Sequence, residues 1–447
     1  MFPRLHSRGR VLRAAALCAA LFAAAPPPAR AQGLTGIDRE RGQVMLKQIK
    51  SKIKDNYYDP TFHGVDLEAK FKAADEMLKQ ATSLGQMFGI IAQAVMSLND
   101  SHTIFVPPAQ TARAEYGWEM QAVGESCYVS AVKPGSDAEA KGLKPGDQVL
   151  EVNGIPVKRA ELWKFHYLYY SLRPQAGMLL TVRSPGGQPR RVEVLAKVRN
   201  DKRALDFTGA DGGADIHNTI RDIERSYQLR RHRHVEAGEA LMIWKMPQFD
   251  LSIAEVDAMM DKARKRKALV LDLRGNGGGS ELTMLRLIGN LFDRDVTVGE
   301  MKRRKEAKTL VAKTRGANAF AGQLVVLVDS ESGSAAEVLA RVVQLEKRGT
   351  VVGDRTSGKV MRSRYHSEKM GMDTAVFWGV SVTDADLIMA DGKSLEHAGV
   401  TPDVLMLPEG ADLAAKRDPV LAHAASLAGL KLDPEKAGAL FPREWRK

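Results

Sequence analysis

Cysteine and long apolar segments are scarce in this chain of 447 residues. It contains two cysteines, and Cys18 lies in an N-terminal segment that we predict to be removed, which leaves Cys127 alone. A single cysteine cannot form an internal disulfide, so the fold has to rely on its core, and this length allows a sizeable one. After residue 31, no segment approaches the roughly 20 consecutive apolar residues of a membrane-spanning helix.

Charge of one sign is in only modest excess. Residues 1–31 hold five arginines and no acidic residue, so the net charge falls from +12 to +7 when they are left out. The basic run at 230–234 (Arg-Arg-His-Arg-His) has no interleaved aromatic residues, and no cysteine or carboxylate accompanies it at metal-ligand spacing. We therefore predict no nucleic-acid partner, no metal site and no cofactor.

The first 31 residues have the three parts of a secretory signal peptide. An arginine-rich start precedes an apolar run at 14–25, and Ala29-Arg-Ala31 has the form of a cleavage site. We predict export to the periplasm of a Gram-negative-type cell or to the exterior, with an uncleaved anchor as the alternative. Peripheral membrane contact and homo-oligomer formation stay open.

Periodicity divides the rest of the chain into four predicted parts. Apolar residues at helical spacing favour a helical N-terminal domain at 32–112. Short alternating runs separated by glycine and proline turns favour a β-rich domain at 113–200. An irregular linker at 201–239 follows, and alternating strand and helix patterns favour an α/β core at 240–447. The predicted fold class is thus α/β within an α+β multidomain chain, with a mostly parallel sheet flanked by helices.

Residues 140–157 (Ala-Lys-Gly-Leu-Lys-Pro-Gly-Asp-Gln-Val-Leu-Glu-Val-Asn-Gly-Ile-Pro-Val) closely resemble the centre of a PDZ domain. Such domains add a peptide as an extra strand beside a helix and hold its C-terminal carboxylate on backbone N–H groups. The resemblance implies a groove between the strand near residue 120 and a helix at 160–172. It also implies a carboxylate-binding loop formed by Tyr116, Gly117, Trp118, Glu119 and Met120.

Two glycine-bearing loops in the α/β core carry the candidate chemistry. The loop at 275–279 follows a buried strand but lacks both the Walker and the dinucleotide-binding spacing, so we favour an oxyanion-binding role over nucleotide binding. Ser330, Ser332 and Ser334 follow a second buried strand at 324–328 and precede a helix. Lys359 lies in a later loop, and burial would lower its pKa enough for it to act as a base for a nucleophilic serine.

The order of these motifs resembles the C-terminal processing (tail-specific) peptidases of the S41 group. The resemblance rests on Asp-Leu-Arg-Gly-Asn-x-Gly-Gly at 272–279, Ser-Ala-Ala-Glu at 334–337 and Thr-x-Gly-Lys at 356–359, together with the PDZ stretch. It implies a core of the ClpP/crotonase type and a serine endopeptidase that takes protein substrates by their C-terminal tails. The site residues that it implies are the nucleophile Ser334, the base Lys359, the supporting Asp272, Arg274 and Glu337, and an oxyanion hole at Gly278 and Ala335.

Departures from the family pattern leave alternatives open. Ser363 stands where many members have a glutamine that orients the lysine. Other members use a histidine, and His102 or His366 would then serve as the base. The other alternative is a catalytically inactive PDZ-containing protein that binds peptides without cleaving them.

Overall fold

The computed structural model of the chain describes residues 34–108, 112–200, 231–370 and 376–445. The predicted signal peptide and most of the predicted linker at 201–239 lie outside the described residues. Within the described ranges, no helix is both long enough and apolar enough to cross a membrane.

Three helices open the described chain, as their apolar spacing predicts. Their N-termini are capped by the side chains of Thr35, Asp66 and Ser83, each of which accepts a hydrogen bond from a backbone N–H in the first turn. Their apolar faces pack together and against Trp378 of the core. The helices are α1 (Gly36–Asn56), α2 (Leu67–Lys79) and α3 (Leu84–Met96).

A short strand, β1 (Ile104–Val106), and then the β-rich part follow. The latter is an antiparallel sheet in the order β3-β4-β5-β7-β8, with β6 paired to β5. Strands β2 and β9 form a separate two-stranded ribbon. The groove helix α5 continues into a wider turn at 168–172. The elements are β2 (Ala112–Glu115), β3 (Trp118–Val123), β4 (Ser126–Val132), α4 (Asp137–Ala140), β5 (Gln148–Val152), β6 (Ile155–Pro156), α5 (Leu162–Tyr167), β7 (Gly177–Arg183), β8 (Pro189–Leu195) and β9 (Lys197–Asn200).

The α/β core is built on a six-stranded sheet in the order β10-β11-β12-β15-β16-β19, parallel except at β10. Every residue of β12 is buried, which is what an uninterrupted apolar run between two helical layers requires. These strands and helices are β10 (Arg233–Ala237), β11 (Leu241–Lys245), α6 (Ile253–Ala263), β12 (Ala268–Asp272), α7 (Glu281–Leu291), β15 (Gln323–Val328), α8 (Ala335–Leu345), β16 (Thr350–Gly353) and β19 (Val404–Leu405). The mixed fold class and the mostly parallel sheet predicted from the sequence are confirmed.

A second, antiparallel sheet joins the helical cap to the core. Its order is β1-β18-β13-β14, with β17 on the other side of β18, and β1 pairs with β18 along residues 379–381. The sequence predicts two strands at 375–382 and 386–389, whereas a single 14-residue strand is present. The added strands are β13 (Val296–Lys302), β14 (Ala307–Ala312), β17 (Met361–Met370) and β18 (Val376–Met389).

The sequence predicts that the tail at 412–427 is helical, and two helices separated by a short break cover most of it. Lys416 adopts a left-handed conformation (φ 55°) that ends the first helix, and Pro419 begins the next. These helices are α9 (Gly410–Ala415), α10 (Pro419–Leu427) and α11 (Pro434–Ala439).

Candidate active site

A cavity of about 2310 Å³ lies where the helical cap, the β-rich part and the α/β core meet. The loops after β12, β15 and β16 all open into it, because the carboxyl ends of parallel strands lie at the same edge of a sheet. Ser334, Lys359 and Gly278 line the cavity together with His102 from the cap and Trp163 from α5. The sequence-predicted nucleophile, base and glycine loop are therefore brought to one place.

Ser334 lies at the junction between β15 and α8, immediately before the first helical residue. Its backbone is strained, with φ 53° and ψ −119°, a region that residues with a side chain rarely occupy. Gly278 packs directly against it, since a Cβ atom at Gly278 would come within 2.6 Å of the Ser334 Cβ. A serine held at a helix N-terminus on a strained turn is a suitable position for an exposed nucleophile.

The other two candidate serines are engaged in structural hydrogen bonds. The Ser330 hydroxyl donates to the Ala122 carbonyl at 2.5 Å, and the buried Ser332 hydroxyl donates to the Leu273 carbonyl at 2.9 Å. Both bonds fix the loop that leads to Ser334. The geometry therefore favours Ser334 among the three.

The carboxylate of Glu337 connects the Ser334 turn to the Lys359 loop. Glu337 is completely buried, and burial raises its pKa although several hydrogen bonds act in the opposite direction. The Ser334 N–H also donates to the Lys359 carbonyl at 3.0 Å, so the two segments are linked directly as well. The Glu337 carboxylate accepts from five groups: the N–H of Ser334, Gly358 and Lys359 and the hydroxyls of Thr356 and Ser357.

The Lys359 side chain is half-buried and extends into the cavity. Its Nζ lies 5.5 Å from the centre of the Trp163 ring, within the range of a cation–π contact. Burial lowers the pKa of Lys359 from its ordinary value, while the carboxylates of Glu337, Glu396 and Glu331 oppose this shift. Ser363, which stands where an orienting glutamine was expected, instead accepts a hydrogen bond from Ser381 in the neighbouring strand.

The glycine loop lies against Ser334, with Gly278 in direct contact with it. The Gly278 N–H donates to the side-chain oxygen of Asn276 at 2.8 Å. Across the described ranges, no acceptor is found for the N–H of Gly277 or of Ala335. The sequence prediction missed Asn276. Its buried side-chain amide also donates to the Met246 carbonyl, and its backbone carbonyl accepts from the N–H of Gly333.

Asp272 and Arg274 form a network beneath the loop. Asp272 is buried, which by itself would raise its pKa, but Arg274 and Lys245 outweigh burial and hold the pKa well below the usual range. Arg274 also makes a two-pronged ion pair with Asp418, which caps α10. Arg274 also lines the cavity. Its contacts to Asp272 and Asp418 are structural, and a contact to a substrate is a prediction.

The five residues predicted for a carboxylate-binding loop lie at the start of β3. Tyr116, Trp118 and Met120 are buried in the β-rich core, and Gly117 makes the preceding turn with φ 71°. Glu119 forms an ion pair with Arg443 at the mouth of the cavity. In the sheet as described, β3 pairs with β4 on one side and has no strand on the other.

A second arrangement of side chains enters the cavity from the cap. The Ser101 hydroxyl lies 2.6 Å from Nδ1 of His102 and 3.0 Å from Oε2 of Glu396, and the Ser101 N–H also donates to Glu396. Glu396 accepts in addition from the N–H of Val360, next to Lys359. His366, the other histidine considered, lies on β17 and is absent from the described lining of the cavity.

The hydrogen bonds of this group fix the state of His102. Because a carboxylate can only accept, the Ser101 hydroxyl donates to Glu396 and must accept from Nδ1–H of His102. Nε2 of His102 then carries the free lone pair. Burial lowers the pKa of His102 and nearby Lys359 acts in the same direction, although Asp100 opposes them, so the neutral ring is favoured. The sequence singled out His102 but missed Ser101 and Glu396, which lie 295 residues apart.

Two sequence models of known protein families match parts of this chain. Residues 242–406 match the sequence model of peptidase family S41, and residues 110–163 match that of the PDZ domain. The chain is 24% identical over 378 residues to a tail-specific protease of Haemophilus influenzae, covering 80% of this chain but only 50% of that protein. It is 25% identical over 393 residues to a chloroplastic C-terminal processing peptidase of Tetradesmus obliquus, covering 82% and 78%.

Among solved structures, the fold is similar to that of mature CPAF complexed with lactacystin. The TM-score is 0.63 at 15% sequence identity, and the match covers 87% of this chain and 98% of CPAF. At that identity the likeness concerns the fold alone. The two domain matches and the curated relatives lead to one conclusion: residues 242–406 are similar to peptidase family S41, and residues 110–163 are similar to a PDZ domain.

Proposed function

We propose that this chain is an exported serine endopeptidase of the C-terminal processing type, which cleaves protein substrates held by their C-terminal tails. The observation that carries the proposal is the position of Ser334. It lies on a strained turn at a helix N-terminus, next to Gly278, and its N–H is bonded to the Lys359 segment. The tail-specific and C-terminal processing names of the relatives point to the same class of substrate.

In the proposed reaction, Lys359 is the general base. Its neutral amine takes the proton of the Ser334 hydroxyl while Oγ attacks the peptide carbonyl carbon. The oxyanion that forms is stabilised by backbone N–H groups of Ala335 and the Gly277–Gly278 loop. For this, the Gly278 N–H gives up its hydrogen bond to the side chain of Asn276 and donates to the oxyanion. Lysine then protonates the leaving amine, and water hydrolyses the acyl-enzyme, which restores Ser334. Asp272, Arg274 and Glu337 support these segments without touching the reacting atoms.

The PDZ domain is proposed to deliver the substrate. Support comes from the edge of β3 that has no partner strand among the described residues, to which a peptide can add as a further strand with backbone hydrogen bonds. The far end of β3 contacts the loop before Ser334, through Ser330 to the Ala122 carbonyl and Gln121 to Asp329. A tail bound along β3 is thereby adjacent to the proposed nucleophile.

A second candidate for the base is His102. The Glu396–Ser101–His102 chain of hydrogen bonds leaves Nε2 of a neutral imidazole free to accept a proton. This arrangement needs no lysine, and Lys359 would then contribute only positive charge near the site. The two candidates predict different effects of substitution and of pH on activity.

The alternative from another class is a PDZ-containing protein that binds tails without hydrolysing them. Incubation of the mature protein with casein, beside Ser334→Ala, separates the two, and we expect cleavage by the wild type alone. Binding of a C-terminal peptide by both proteins, with cleavage by neither, would identify the binding protein instead. Export is tested separately by N-terminal sequencing of the secreted protein, which we expect to start near Gln32.

A further inference from the structure

The groove helix of the PDZ domain, α5, and the turn at 168–172 that continues it contact two different parts of the protein. Leu162, Phe165 and Tyr169 pack into the core of the β-rich part. The residues that follow each of them by one position line the catalytic cavity, as Leu162 and Lys164 also do: Trp163, His166 and Tyr170. The helix and the turn that continues it therefore form a wall shared by the peptide groove and the cavity, and their sequence contributes directly to the surroundings of Ser334.

Trp163 is the residue of this wall that meets the proposed base. Its ring centre lies 5.5 Å from Nζ of Lys359 and 5.9 Å from Nζ of the exposed Lys164. The face of an indole ring attracts a cation and does not attract a neutral amine in the same way. Trp163 thus favours the ammonium form of Lys359, whereas the burial of the amine favours the neutral form.

The position of Trp163 relative to Lys359 is fixed by an ion pair at the start of the helix. Arg159 donates to Asp354 and to the Gly124 carbonyl, both at 2.8 Å, and its side chain and that of Asp354 are each only 8% exposed. Asp354 lies in the same loop as Lys359. The groove helix is therefore attached to the base loop, as β3 is attached to the loop before Ser334.

We propose that Trp163 is a positioning residue for the base: it holds Lys359 as its ammonium against the ring in the peptide-free protein. The PDZ domain then has a part in the chemistry in addition to binding the tail. This inference rests on the proposed role of Lys359. The protonated amine cannot accept the Ser334 proton, so Lys359 has to lose its proton and leave the ring before it acts.

Other charges also act on Lys359 and have to be kept constant in a test. The carboxylates favour its ammonium, and the lysine in turn lowers the pKa values of the two histidines. None of these side chains is altered by a substitution at Trp163. The titratable groups that face Lys359 from the surrounding elements are Glu331, Glu337, Glu396, His102 and His166.

The test replaces the ring by a side chain that keeps the apolar cover. Trp163→Leu removes the cation–π contact, and Trp163→Phe retains an aromatic face. In a Ser334→Ala background, acetylation of Lys359 by acetic anhydride is followed by mass spectrometry from pH 6 to 11. We expect the pH at which acetylation of Lys359 is half-maximal to fall by about one unit in the Leu variant and by less in the Phe variant.

Lys164→Met is the matched control, because it removes the other cation beside the same ring and should leave the midpoint unchanged. An unchanged or higher midpoint in Trp163→Leu overturns the inference, and Trp163→Met replaces the Leu variant if that one does not fold. The labelling needs no catalysis, so the result does not depend on cleavage. Failure of the wild type to cleave casein is a separate outcome, which rejects the proposed function and not the cation–π contact.

Discussion

Lys359 and His102 enter one cavity from different parts of the chain and are prepared for proton transfer by different physical means. Lys359 belongs to a core loop and becomes a base only if burial outweighs the carboxylates and the aromatic ring around it. His102 belongs to the cap, and hydrogen bonds through Ser101 to Glu396 already fix its free lone pair. The comparison shows that burial changes how readily a group loses its proton, whereas a hydrogen-bond chain also sets its orientation.

Both candidate bases require the same nucleophile, so removal of Ser334 has the largest expected effect. Ser334→Ala should lower kcat/KM for a peptide substrate at least about 10³-fold, because no other group can form the acyl-enzyme. Ser426→Ala, an exposed serine on α10, is the control and should keep wild-type activity. Substantial cleavage by Ser334→Ala would contradict the proposed nucleophile and both bases with it.

Substitution of each base separately distinguishes the two. Lys359→Met should lower kcat about 10³-fold, and His102→Asn only about tenfold, if the lysine takes the Ser334 proton. Steady-state kinetics of both variants measure the ratio, with Lys305→Met, at an exposed lysine that does not line the cavity, as the control. The reverse order of effects would assign the base to His102 and leave Lys359 as a supporting charge.

The sequence predicted the core of this site better than its surroundings. The buried runs of β12 and β15 identify the sheet, and the loops after them identify Ser334 and the glycines. Ser101 and Glu396 were missed because their contact depends on β1 pairing with β18, which brings residues far apart in sequence together. The strand β17 was missed because it is mostly polar and is held by its pairing with β18 rather than by an apolar face.

Glu337 is expected to matter less than either the nucleophile or its base, but it affects both loops. Glu337→Gln keeps the shape and removes the charge, and the NH₂ group that replaces one carboxylate oxygen cannot accept from the N–H and O–H donors that face it. We expect kcat to fall about 10²-fold and the free energy of unfolding to fall by about 3 kcal/mol. Activity assays and urea denaturation measure the two effects.

The matched control is Glu346→Gln, at the other end of the same helix, where the carboxylate pairs with the exposed Arg294. Such a surface pair contributes less than about 1 kcal/mol, so this variant should remain close to wild type. Equal effects of the two substitutions would mean that the hydrogen bonds of Glu337 do not hold the Ser334 and Lys359 segments in their active geometry.

The acid side of the pH–rate profile gives the smallest but most direct distinction between the two bases. Burial lowers the pKa of His102 from 6.5 and that of Lys359 from 10.5. The base acts only when deprotonated, so kcat/KM rises about tenfold per pH unit below its pKa and is level above it. With His102 as the base the level region begins by about pH 6.5, whereas with Lys359, as proposed, we expect activity to keep rising above that value.

One carboxyl group titrates in the same range and has to be separated. Glu331 is accessible from the cavity but enclosed by protein on its other sides, and this enclosure together with Asp329 raises its pKa to about 7. The profile is therefore measured again in Glu331→Gln, where the rise above pH 6.5 should persist if Lys359 causes it. A profile that becomes level below pH 6.5 in both proteins supports the hydrogen-bond chain through Ser101, because the pKa of His102 is lowered from 6.5, and it contradicts the rise above pH 6.5 that we expect for Lys359.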